Sequence, residues 1–100
     1  MFVIAGEIEI DPANHDAATT AALRMMEETA KEAGCTRYVF SSDLAQRGLF
    51  RLFEEWESQQ ALDAHFASPH MAAFQAAVGG LGVKRMALQR YEVSSVGPLR

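Results

Sequence analysis

The order of hydrophobic periodicities along the chain limits the folds that it can adopt. Apolar residues alternate with polar ones in four stretches, and helical spacing follows the first and the third of them. The predicted segments are strands at 2–10, 35–41, 49–57 and 83–93, a helix at 15–32, and a helix at 59–67 that restarts at Pro69. This β-α-β-β-α-β order predicts a ferredoxin-like α+β fold, in which a four-stranded antiparallel sheet carries its helices on one face.

Local signals bound the predicted helices. Gly34 follows the first helix in the usual C-terminal glycine position. Ser58 is an N-cap residue for the second helix, and Ser68 with Pro69 predicts a new helical start. Within the first helix one stripe is expected to face the core: Ala18, Ala22, Met25 and Thr29.

Both faces of the predicted sheet carry apolar side chains. On the third strand Phe50, Leu52 and Trp56 share one face, while Leu49 and Phe53 share the other. Helices cover one face only, so the second would expose apolar area to water. A second copy on the open face would cover it, which predicts a homodimer.

Composition narrows the possible partners. One hundred residues fit a single domain at 1–100, with a core at about 2–93 and a short tail. The net charge is −4 and basic residues are scattered, so neither nucleic acid nor an anionic membrane is an expected partner. Cys35 is the only cysteine, and Glu7 interrupts the apolar start too early for a signal peptide. We therefore expect a cytoplasmic protein.

Two stretches carry a family resemblance. Residues 53–71, FEEWESQQALDAHFASPHM, resemble the signature stretch of the antibiotic biosynthesis monooxygenase family, which includes quinol monooxygenases. Residues 32–38, EAGCTRY, resemble the start of that family's second strand. The matching positions in the first stretch are Trp56, Ser58, Ala61, Leu62, His65, Pro69 and His70.

The resemblance implies a dimeric α+β barrel with one pocket per subunit, between the sheet and the helices. It also implies oxygenation of quinol-like or polyphenolic aromatics, with O₂ as co-substrate and no flavin, metal or haem. Related proteins degrade haem, but Gln75 stands here where their axial histidine is expected. Two alternatives stay open: an isomerase of a small hydroxycarbonyl compound, and a non-catalytic dimeric binding module. An anionic substrate would need a cation, and few basic residues lie near the predicted pocket.

Three side chains are candidate catalytic groups. His65 follows Leu62 by three positions, so its imidazole would lie beside the inward face and take a phenolic proton. Alternatively, it only ties its helix to a neighbouring loop. His70 lies in the first turn after Pro69, where the helix dipole disfavours imidazolium, and would hydrogen-bond substrate or fix the turn.

Glu54 is a carboxylate between Leu52 and Trp56 on the face that the helices cover. Burial would raise its pKa and make it a base, unless Arg37 or Arg90 forms an ion pair with it. Trp56 is a candidate stacking platform or a core residue. The other candidate substrate-binding residues, which would line the pocket or donate a hydrogen bond, are Phe40, Phe53, Phe66, Met71, Phe74 and Tyr38.

No cofactor site is expected. The glycines at 79–82 end a helix instead of following a strand, which excludes a Rossmann-type nucleotide site. With one cysteine there is no thiolate pair for zinc. His65 and His70 are five residues apart across a helix break, a spacing that argues against a metal site on one helix.

Overall fold

A computed structural model describes all 100 residues and contains the elements in the predicted order, with the second helical segment divided in two. The strands are β1 (Phe2–Ile10), β2 (Cys35–Ser42), β3 (Leu49–Trp56) and β4 (Val83–Glu92). The helices are α1 (His15–Thr29), preceded by a 3₁₀ turn at Pro12–Asn14, α2 (Gln59–Phe66) and α3 (Pro69–Gly79). No helix combines the length and the apolarity needed to cross a membrane.

The four strands form one antiparallel sheet in the order β2-β3-β1-β4. The sheet and its helices make a ferredoxin-like α+β fold, as the periodicities predict. Serine hydroxyls cap the two later helices: Ser58 accepts from the Ala61 amide at 3.1 Å, and Ser68 accepts from the Met71 amide at 3.2 Å.

Helix α1 is shorter than predicted. It ends at Thr29 because the next amides turn back tightly, with Lys31 N–H bonding the Glu28 carbonyl and Glu32 N–H bonding the Thr29 carbonyl. Gly34 then adopts a φ of 84°, which a glycine reaches without strain. Glu32 consequently lies in the turn between α1 and β2 instead of on the helix.

The core lies between the helices and the first three strands. The predicted stripe of α1 is buried as expected. The larger core cluster contains Ile4, Met25, Tyr38, Leu52, Trp56 and Leu62. A smaller cluster contains Ile8, Ile10, Ala18 and Phe50. Strand β4 differs, because every one of its residues is exposed, so the helices do not cover that edge of the sheet.

The opposite sheet face, called here the open face, is more polar than expected. Phe53 and Tyr91 are exposed there, but Arg51, two residues before Phe53 on β3, lies on the same face and binds Glu7 at 3.0 Å and Asp43 at 2.7 Å. Strand alternation interleaves these ion pairs with apolar residues such as Ala5. The open face is therefore a mixed surface, with a groove of about 820 Å³ along it.

Candidate functional site

One carboxylate oxygen joins two imidazoles beneath the helices. Glu32 Oε2 lies 2.6 Å from His65 Nδ1 and 2.8 Å from His70 Nε2. The three side chains come from the turn after α1, the last turn of α2 and the first turn of α3. An ionised carboxylate only accepts hydrogen bonds, so each facing ring nitrogen is a donor. We call these residues the Glu32–histidine cluster.

Ser68 holds both histidines in place. Its hydroxyl donates to the His65 carbonyl at 2.7 Å and accepts from the Met71 amide at 3.2 Å. Pro69 occupies the first position of α3, which places His70 in the first turn. The cap that starts α3 therefore also fixes the end of α2, and the two rings lie 5.9 Å apart.

His65 is fully buried among aromatic rings. Its ring centroid lies 4.7 Å from that of Trp56 and 5.4 Å from that of Tyr38. Burial lowers the pKa of His65, while the hydrogen bond to Glu32 acts in the opposite direction. With Nδ1–H directed at Glu32, Nε2 carries the lone pair, and this atom has no hydrogen-bond partner. Such a buried, unpartnered acceptor is uncommon in proteins.

Glu54 has an indole partner instead of an arginine. Its Oε1 accepts from Trp56 Nε1–H at 2.8 Å, and the residue is 4% exposed. The alternative of an arginine ion pair is wrong, since Arg37 pairs with Glu55 and Arg90 bonds Gln59. Burial raises the pKa of Glu54 to about 7, and the Glu32 charge acts in the same direction.

The remaining predicted residues divide into two groups. Phe40, Met71 and Phe74 pack around the core cluster that holds Tyr38 and Trp56, and the rings of Phe40 and Phe74 lie 5.4 Å apart.

Phe53 and Phe66 lie outside this core cluster, and their role in binding substrate stays a prediction. Strand alternation places Phe53 on the open face, where the Arg37 guanidinium lies 5.8 Å from its ring centroid. On α2, Leu62 and His65 point inward, and Phe66 is 55% exposed at the helix end.

Buried side chains lie where the pocket between sheet and helices is expected. Trp56, Leu62 and His65 have no exposed surface. A groove of about 670 Å³ opens instead between α1 and α3 and is partly lined by His70. We call it the α1–α3 groove. His70 thus connects the Glu32–histidine cluster to a space large enough for a small molecule.

Glu32 is the functional candidate that the sequence patterns did not single out. It lies within the resembling stretch 32–38, but its helical register gave no sign of a partner in α2 or α3. Its carboxylate and the two imidazoles place ligand-type atoms within 4.8 Å of one another. The spacing argument applies only to a metal site on one helix, because the break between α2 and α3 brings the two rings together.

Comparisons with known proteins agree with this fold and these motifs. The profile of the antibiotic biosynthesis monooxygenase family matches residues 1–77. The chain is 31% identical over 90 residues to the Escherichia coli K12 protein named "Probable quinol monooxygenase YgiN", which spans 80% of this chain and 86% of that protein. It is 28% identical over 98 residues to an uncharacterized Synechocystis protein, which spans 98% of this chain and 67% of that one.

Solved structures extend the match to the whole chain. The structure of Rv0793 from Mycobacterium tuberculosis has a TM-score of 0.84 at 30% identity and covers 97% of both chains. A crystal structure from Deinococcus radiodurans has a TM-score of 0.91 and covers 100% of this chain and 99% of that one. Its 24% identity supports the fold alone. On the profile match and the Escherichia coli relative together, the chain belongs to the antibiotic biosynthesis monooxygenase family.

Proposed function

We propose that this protein is a cofactor-independent monooxygenase of quinol-like aromatic small molecules, with O₂ as co-substrate, acting as a cytoplasmic homodimer. The observation that carries the proposal is the Glu32 oxygen shared by two imidazoles, one of which borders the α1–α3 groove. The Escherichia coli relative is named as a quinol monooxygenase, which supports the substrate class.

The reaction needs little from the protein beyond proton transfer. An ionised quinol donates electrons to O₂ far more readily than the neutral molecule does. In the overall step the quinol supplies four electrons, one oxygen atom enters the ring, and the other leaves as water. The product is a hydroxyquinone. No external reductant is required, so the task proposed for this site is proton transfer.

His70 is the histidine that a molecule in the groove meets, so we assign it the substrate proton. Its Nε2–H already donates to Glu32, which leaves Nδ1 to accept. Glu32 stabilises the imidazolium that forms, as a carboxylate does behind a catalytic histidine. His65 holds the carboxylate from the buried side. The sequence analysis chose His65 as the base. We assign that role to His70 instead, because His65 is fully buried.

The test is O₂ consumption by metal-stripped protein with a panel of naphthohydroquinones, corrected for autoxidation. Glu32→Gln should lower the rate about 100-fold or more, since a neutral amide cannot stabilise imidazolium. Glu27→Gln, the same substitution at an exposed position of the preceding helix α1, is the matched control and should leave the rate unchanged. His70→Ala should remove turnover, whereas His65→Ala should leave part of it.

Three other outcomes would change the assigned roles or the proposed reaction. Full loss in His65→Ala with retention in His70→Ala would return the role of base to His65. Proton exchange without O₂ uptake would replace the proposal with the isomerase alternative. An activity that depends on added metal would contradict the cofactor-free reaction and point to Glu32, His65 and His70 as ligands.

A further inference from the structure

Small side chains line much of the α1–α3 groove. Alanines line both helices along it, at Ala17, Ala21, Ala73 and Ala77. These small side chains leave a volume of about 670 Å³, within the usual range of ligand pockets. Phe74 supplies a larger apolar contact, and a phenyl ring packs well on aromatic faces.

The groove also contains a cation without a partner. Arg24 lines it, and no carboxylate lies within ion-pair distance of its guanidinium. Glu28, one turn further along α1 and also in the groove, pairs with Lys31 at 3.3 Å. The Thr20 hydroxyl donates to the Asp16 carbonyl at 3.2 Å and is similarly committed. Arg24 is therefore the groove's free charged donor, in a protein whose net charge is −4.

We propose that the α1–α3 groove binds an aromatic acid, with its carboxylate on Arg24 and its ring hydroxyl on His70. The planar guanidinium fork matches a carboxylate through two parallel hydrogen bonds. Phe74 contacts the ring. The catalytic consequence rests on the proposed function: the substrate is a quinol that carries a carboxylate, and Arg24 determines that specificity. The binding itself does not depend on turnover.

Calorimetric binding measurements on the full chain test this. The probes are 4-hydroxy-2-naphthoic acid, its neutral counterpart 1-naphthol, and 2-naphthoic acid, none of which is a hydroquinone. The wild-type protein should bind the hydroxy acid at least about tenfold more tightly than 1-naphthol. Arg24→Gln should remove this preference, and Arg24→Lys should retain part of it. Lys84→Gln on the exposed strand β4 is the control and should change nothing.

The hydroxyl contact has its own test. Removing the ligand hydroxyl, by using 2-naphthoic acid, should weaken binding about as much as His70→Gln does, and the two changes should not add. Equal affinity for acid and neutral probe, or an unchanged preference in Arg24→Gln, would overturn the proposal. If binding depends on Arg24 but no carboxylated naphthohydroquinone consumes O₂, the groove assignment stands and the monooxygenase assignment falls. Arg24 is exposed, so its variants should fold normally.

Discussion

Burial disfavours the ionised form of the Glu54 side chain. The residue is 4% exposed, and its one hydrogen bond comes from the Trp56 indole. The folded pKa of about 7 lies above the usual 4.5, so the folded state holds this proton more tightly than the unfolded chain does. The neutral carboxyl therefore makes its whole contribution to the free energy of unfolding below pH 4.5. This contribution is lost as the pH rises through about 7.

Glu54→Gln should remove this loss, because the amide stays neutral and its oxygen still accepts from Trp56. At pH 5 the variant and the wild type should have similar free energies of unfolding. At pH 8.5 the variant should be more stable by about 1–3 kcal/mol. Urea denaturation at both pH values measures the difference in the free energy of unfolding. The contribution of His65 titration cancels in this difference, because both proteins contain His65.

Glu55→Gln is the matched control for that experiment. Glu55 is the next residue on β3, faces the open side and pairs with Arg37 at 3.6 Å. Its substitution should produce no stabilisation that grows with pH. A Glu54→Gln variant with the same offset at both pH values would show that Glu54 is ionised throughout.

At the junction between α2 and α3, the Ser68 hydroxyl both caps a helix and bonds the His65 backbone. Ser68→Ala should cost about 1 kcal/mol of stability, as the loss of a capping serine usually does. It should also lower O₂ uptake, because the Ser68 hydroxyl bonds the His65 carbonyl and caps the turn that carries His70. Thermal unfolding and the rate assay on the same sample test both effects.

Ser58→Ala separates capping from positioning. Ser58 caps α2 through the Ala61 amide but makes no contact with either histidine. It should cost a similar amount of stability while leaving the rate unchanged. Equal activity losses in the two variants would show that Ser68 acts only through helix stability.

Strands β1 and β4 approach unusually closely at Gly6. A Cβ atom added there would lie only 1.9 Å from the Ala87 carbonyl oxygen, which is backbone and cannot rotate away. Gly6→Ala should destabilise the protein by about 2 kcal/mol or more and increase amide hydrogen exchange along β4. Gly79→Ala, at a helix end with no atom within 4 Å of the added methyl group, is the control and should be neutral or mildly stabilising. Unchanged exchange in Gly6→Ala would mean that β4 shifts without cost.

Local chemistry explains which features could be predicted from the sequence. Ser58 and the Ser68–Pro69 pair set helix starts through atoms a few residues away, so those boundaries agree with the structure. The alternation of β3 likewise placed Glu54 and Trp56 on the covered face. Such signals depend only on residues nearby in the sequence, so they can be recognised before the fold is known.

The rest of the site depends on tertiary contacts. Glu32 is 33 residues from His65 and 38 from His70, and only the early end of α1 turns it toward them. Phe66 was expected to line the pocket, yet it lies at the end of the short helix α2, where Leu62 and His65 take the inward positions. Arg24 belongs to the exposed side of α1, and the groove exists only once α3 packs beside it.

At the scale of the whole molecule, two surfaces are left uncovered by the chain itself. Strand β4 is exposed along its length, and the open face shows Val39, Phe53 and Tyr91 at 38%, 37% and 47% exposure. The α1–α3 groove lies on the opposite, helical side. A second copy on the open face would therefore cover apolar surface and leave the groove accessible.

The proposed homodimer can be tested by a substitution at Phe53. Phe53 lies near the middle of the open face, so in a two-fold dimer it faces the same surface of the other copy. Sedimentation equilibrium should give twice the 11.0 kDa chain mass for the wild type. Phe53→Lys should give the single chain mass, because it buries a charge beside Arg37 and Arg51 without a partner. Phe66→Lys, a change of the same chemistry on the helical side, should remain dimeric. The reverse result would place the interface on α2, and a monomeric wild type would leave the open face to some other partner.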